Sequence, residues 1–159
     1  MTEVERNTLA KIESFLAYIG IVVQSVDLVE DTFLPGILID CGELKIDKQK
    51  VLYPGDVLHE AGHIAVTSAA ERMLLKGNVT LGNPHKEGDE LAVLLWTYAV
   101  CRHIGIDPSV VFHPMGYKGQ SDWLIDQFSR GQYIGLPLLV WMQMTTTDGF
   151  PKMQQWLRF

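Results

Sequence analysis

Five consecutive residues, His59-Glu60-Ala61-Gly62-His63, hold the side chains with the clearest chemical potential in this chain. On an α-helix, histidines at i and i+4 project from one face, close enough to share a metal ion, and the glutamate at i+1 stands beside the remaining coordination position. Two imidazole nitrogens suit zinc, which takes a third protein ligand and keeps one position open where it acts on water. That geometry requires a helix, and the surrounding residues favour one. Ala61 and Gly62 are small and uncharged, while Val57, Leu58, Ile64, Ala65 and Val66 are apolar. A competing reading makes the two histidines and the glutamate a hydrogen-bonded core cluster. Burying them together is costly unless every polar group is satisfied, and a metal would satisfy them.

The third ligand must come from elsewhere. Glu71, Glu87 and Glu90 are the glutamates that follow the motif. On a continuous helix Glu71 lies about 12 Å along the axis from His63, too far to reach the same ion. Glu90 opens the apolar segment Leu91-Ala92-Val93-Leu94-Leu95-Trp96 and is the preferred ligand, with Asp89, Glu87 and His85 as alternatives. Its plain alternative role is that of a first-turn acid complementing the helix dipole. The longer metzincin pattern HExxHxxGxxH is excluded, because Val66 and Ala69 stand where it needs Gly and His.

Over residues 21–104 the sequence resembles the zincin metallopeptidases, and within them a compact gluzincin. The resemblance implies a compact single α+β domain, with a small N-terminal sheet followed by a buried motif helix and further helices. It implies zinc held by His59, His63 and Glu90, with Glu60 as the general base that takes a proton from water and returns it to the leaving amine. The substrate would be a peptide or protein, paired in extended form with an upstream edge strand at 36–40 or 43–47. A further donor steadies the oxyanion in such sites; His113 and Tyr117, in the Pro- and Gly-rich stretch 112–119, are the candidates, with Tyr98 and His103 as alternatives. The wording His-Glu-Ala-Gly-His is also similar to the membrane-anchored AAA protease family, whose third ligand is a later Asp. Asp122, Asp126 or Asp148 would match that position. Two other functions use the same residues: a catalytically silent metal-binding interaction module, and a hydrolase of non-peptide amides.

The elements that must position these residues are legible as patterns. Leu9, Ile12, Phe15, Leu16 and Ile19 form one stripe of a helix over 3–19, ended by Gly20. Segments 21–29, 36–41 and 43–47 read as strands, the last two joined around Gly42. Pro54-Gly55-Asp56 starts a helix with Asp56 as N-cap, and the apolar segment 57–75 continues it until Gly77-Asn78. Residues 82–88 read as a loop, Asp89 as the cap of a second buried helix over 90–104, and 112–119 as a surface loop. Helical character returns over 121–128 and 136–144.

Composition narrows the classes. With 159 residues, 47% of them hydrophobic, the chain suits one domain with a substantial core. Thirteen basic against nineteen acidic residues give a net charge of −6, which argues against a nucleic-acid partner. Acids near the start and the lack of a basic leader before an apolar stretch are unlike a secretory signal, so a cytoplasmic location is expected. The apolar runs 91–101 and 134–144 fall short of the roughly 20 residues that span a bilayer, so no membrane association is expected. Cys41 and Cys101 lack metal-site spacing and read as buried thiols. Trp96, Trp123, Trp141 and Trp156, with Phe150 and Phe159, read as core.

Overall fold

The first helix, α1 (Glu3–Ile19), starts where Thr2 and Glu5 form a capping box: the Thr2 hydroxyl accepts the Glu5 N–H at 3.1 Å and the Glu5 carboxylate accepts the Thr2 N–H at 2.7 Å. It buries Leu9, Ile12, Phe15 and Leu16 and ends at Gly20, whose φ of 96° is the left-handed cap conformation that glycine adopts without strain. This computed structural model describes residues 1–79 and 84–159.

Three short strands follow: β1 (Val23–Ser25), β2 (Ile37–Asp40) and β3 (Glu43–Ile46). Their order is β1-β3-β2, with β1 parallel and β2 antiparallel to β3. Cys41 and Gly42 both have positive φ, 52° and 75°, which suits a tight two-residue hairpin turn. Ile37, Ile39, Leu44 and Ile46 form the buried side of the sheet. The first strand is shorter than the 21–29 expected. Beyond Val26 the chain leaves the ladder, and the Leu28 N–H goes to the Asp47 carboxylate at 3.0 Å instead. Because β3 is paired on both sides, residues 43–47 cannot serve as an edge strand; 36–40 lies at the margin of the sheet, but its outward side is partly occupied, the Ile37 N–H donating to the Leu34 carbonyl at 3.1 Å and the Ile39 carbonyl accepting the Gly77 N–H at 2.8 Å.

The motif helix α2 (Pro54–Ala65) packs against α1, against β2 and β3, and against α5 (Glu90–Ile104), which makes it the centre of this α+β domain. Pro54 occupies the first helical turn, where its missing N–H costs nothing. Asp56 is not the cap that the sequence suggested; Tyr53 holds that position and the Asp56 carboxylate is committed elsewhere. Two glycines set the packing. A Cβ on Gly62 would lie 2.8 Å from Val93 Cγ1 on α5, and one on Gly55 would lie 2.0 Å from the Val110 carbonyl oxygen.

The helix expected over 57–75 stops at Ala65. The Thr67 hydroxyl turns back to the His63 carbonyl at 2.7 Å, competing with the helical ladder, and Ser68 is extended with ψ 151°. Two arginines replace the helical bonds there: the Arg72 guanidinium donates to the carbonyls of Ile64 and Thr67, the Arg158 guanidinium to that of Val66, and the Arg158 backbone N–H to that of Ala65. The single turn α3 (Ala69–Arg72) follows, with Glu71 exposed and bonded to Ser68.

Residues 84–88, expected in a loop, form the short helix α4 (Pro84–Gly88); Gly82 and Asn83 lie outside the described residues, as do the side chains of His85 and Glu87. Asp89 precedes α5 as expected but makes no side-chain capping bond. The stretch 112–119 is not a surface loop throughout, since Phe112 and His113 are buried. α6 (Ser121–Ser129) is as expected, and α7 (Leu136–Trp141) stops short of Met144 because Gln143 takes a positive φ of 61°. Cys101 is buried but Cys41 is exposed, and Trp123, Trp141 and Phe159 are exposed where core was expected. Among the described residues no helix is long and apolar enough to cross a membrane.

Candidate metal centre

One turn of α2 places His59 and His63 on the same face, and the start of α5 brings Glu90 against both. His59 Nε2 lies 3.2 Å from Glu90 Oε1 and His63 Nε2 lies 3.1 Å from Oε2, and one donor atom from each of the three residues lies within 4.8 Å of the others. Ligands held about 2.0–2.1 Å from a tetrahedral zinc are about 3.3 Å apart, and each histidine Nε2 already sits at that spacing from its own Glu90 oxygen. Two imidazoles and a carboxylate are also the donor types zinc accepts. Both features fit an ion coordinated by Nε2 of each histidine and by Glu90. The close packing permitted by Gly62 is what brings α5 near enough for Glu90 to arrive.

The electrostatics of the cluster are mutual. Burial is the largest influence on Glu90 and raises its pKa, yet hydrogen bonds and charge from His59 and His63 together outweigh it and hold the carboxyl far below the ordinary range. Burial likewise pushes His59 down, and Glu90, with the Glu60 and Asp56 charges, overcomes it to raise that imidazole above 6.5. At Glu60 burial prevails instead. Its burial, reinforced by the Glu90 and Asp56 charges, raises it above the ordinary 4.5 against the opposing pull of His63 and His59.

Behind the cluster, the Tyr117 hydroxyl is 3.1 Å from His59 Nδ1, the ring nitrogen opposite Glu90. His113 Nε2 is 2.8 Å from Asp56 Oδ1, its Nδ1 is buried without a hydrogen-bond partner among the described residues, and its ring stacks on Tyr53 with centroids 3.9 Å apart. Of the two residues singled out as oxyanion donors, Tyr117 is therefore engaged with a histidine and His113 with an aspartate. Tyr98 is buried against Phe128 and Tyr133, and His103 is exposed beside Phe15 and Trp156; neither lines the cavities at the cluster. Asp126 is exposed and paired with Arg130 on its own helix, Asp122 and Asp148 are also exposed, and none of the three joins the cluster.

Three cavities meet at the cluster. A chamber of about 340 Å³ is lined by His59, Glu60, His63, Glu90, Asn78 and Lys118, among others. A second, of about 420 Å³, runs from His59 and Glu90 past Asp56 and His113 to Phe33, Leu52 and Met115, whose side chains are exposed at its rim. A third, of about 300 Å³, extends from Glu90, Tyr117 and Lys118 along Leu94, Trp123 and Phe128. Sequence reasoning missed Asp56, Tyr53, Phe33 and Lys118. Asp56 alone carried a signal, since it lies three residues before His59 and so on the same helical face. The others arrive through tertiary packing. No family model, curated protein or solved structure matches the chain.

Proposed function

We propose that the protein is a metal-dependent hydrolase, a zincin-like peptidase in its site chemistry, with zinc held by His59, His63 and Glu90 and with Glu60 as the general base. The observation that carries this reading is the convergence of those three donors within 4.8 Å of one another in the chamber that Glu60 also lines. Zinc, when bound, supplies a Lewis acid that lowers the pKa of water towards neutrality. Glu60, which lines the same chamber as the three donors, is the proton carrier, accepting a proton from water and returning it to the leaving amine.

The remaining residues orient and enclose. For His59 to offer a lone pair at Nε2 its ring must carry hydrogen on Nδ1, and that N–H then donates to the Tyr117 oxygen. Tyr117 thus positions His59. Asp56 and Tyr53 hold the His113 ring as part of the cavity wall. The apolar rim of Phe33, Leu52 and Met115 suits a peptide with large apolar side chains.

A second reading, a binding module without turnover, has one observation in its favour. Each histidine has its own Glu90 oxygen at hydrogen-bond distance, so the carboxylate can hold both Nε2 atoms with no ion, while His63 Nδ1 stays buried without a partner among the described residues. The cavities beside the cluster, one of them lined by Glu60, favour chemistry over it. The test is Glu60→Gln assayed against a broad peptide library beside the wild type. The hydrolase reading expects cleavage by the wild type and its loss in a variant that still binds zinc; unchanged cleavage in the variant excludes Glu60 as the base, and a zinc-loaded wild type that cleaves nothing supports the binding module.

A further inference from the structure

Hydrolysis of an amide requires a donor for the carbonyl oxygen as it gains negative charge. The side chains around the chamber can be taken in turn. His59, His63 and Glu90 are the proposed ligands and Glu60 the base. Tyr117 faces His59 Nδ1, and His113 is tied to Asp56 through one nitrogen and buried at the other. Asn78 already has an interaction partner. Lys118 is left: it is exposed, forms no ion pair among the described residues, and is the one lysine or arginine among the described residues lining the three cavities. Its backbone is also unusual. Tyr117, Lys118 and Gly119 take successive φ values of 56°, 53° and 79°, a left-handed run that is unfavourable for two side-chain-bearing residues in sequence. That run places Tyr117 on His59 and Lys118 where the three cavities adjoin.

The geometry points to Lys118 as the oxyanion-stabilising residue of the hydrolysis, an inference that rests on the proposed hydrolase reading. In that step the water oxygen bonds to the carbonyl carbon while the C=O π pair moves onto the carbonyl oxygen, and the proton released by water passes to Glu60. The Lys118 ammonium donates to the negative oxygen. When the pair returns to re-form C=O, the C–N bond breaks with its electrons going to nitrogen, and Glu60 delivers the proton there. The new carboxylic acid releases its own proton to solvent. Lys118 begins and ends the cycle as an ammonium.

The test pairs Lys118→Met with Lys118→Asn, the second because asparagine accepts the left-handed backbone readily. Three quantities are measured: zinc stoichiometry, kcat/KM on a cleaved peptide, and affinity for a dipeptide phosphinate, which mimics the tetrahedral anion. The expected result is unchanged zinc content, a loss of about 10²–10³ in kcat/KM, and a parallel weakening of phosphinate binding, with affinity for the uncharged substrate little changed. Lys118→Arg should recover part of the loss. Variants that match an active, zinc-loaded wild type in kcat/KM and phosphinate affinity overturn the assignment and leave the hydrolase reading standing. A wild type that takes up no zinc overturns both.

Discussion

Glu90 approaches the two histidines from a different helix, so its removal separates assembly of the site from its chemistry. Glu90→Ala should weaken zinc binding more than any change behind the ligands, read by competition with a zinc-binding dye. Tyr117→Phe should weaken it by about 10–100-fold, because the oxygen that receives the His59 Nδ1–H is lost while the ligands remain. Glu60→Gln belongs to a different class: zinc content is retained and turnover drops by about 10²–10⁴. At this scale much was legible. The i, i+4 spacing of His59 and His63 dictates a shared face on any helix, and Glu90 could be placed by eliminating other acids. The commitments of Asp56 and Tyr117 were not legible, since each depends on residues 57 or 58 positions apart in sequence being folded together.

Among the elements, the distance between α2 and α5 decides whether the three donors meet. Gly62 allows it, because a Cβ there would press on Val93 at 2.8 Å and on Trp96 at 3.3 Å. Gly62→Ala should cost about 1–3 kcal/mol by overpacking and should weaken zinc binding by moving Glu90 away. Both effects are measurable by urea titration with and without the metal. The residue type of Gly62 read correctly as small, but the side chain it accommodates lies on another helix. The end of α2 shows a similar limit. Apolar residues continue after Ala65, so the pattern predicts continuation, whereas the Thr67 hydroxyl and two arginines take over the last carbonyls. One of those arginines is Arg158, far along the chain, and no local window includes it.

The whole molecule ties its last residues to the motif helix. The Arg158 guanidinium donates to the Val66 carbonyl at 3.1 Å and lies over the Trp141 ring at 5.1 Å, and Trp96 Nε1 donates to the Trp156 carbonyl at 2.9 Å. Arg158→Ala should lower stability by about 1–3 kcal/mol through the lost charge-assisted bond, seen as a reduced thermal midpoint. Acid sensitivity enters through Asp47. Hydrogen bonding from the Leu28 N–H, the chief cause, with bonding from Gln49 and the Lys50 charge, holds this carboxyl below its ordinary 3.8 against the opposing effect of burial. A carboxyl depressed in the folded state stabilises the fold above its unfolded pKa and loses that contribution as pH falls through the folded value. Urea midpoints of the wild type should therefore decline below about pH 4, and Asp47→Asn should reduce both the midpoint at neutral pH and the steepness of that decline.

The most direct test of the proposed metal centre is elemental analysis of untagged protein prepared with zinc available and without chelator, with His59→Ala and Glu90→Ala prepared alongside. The site described here predicts about one equivalent of zinc in the wild type and its loss in both variants. A wild type that remains metal-free would contradict it and would leave His59, His63 and Glu90 as a hydrogen-bonded cluster within the fold.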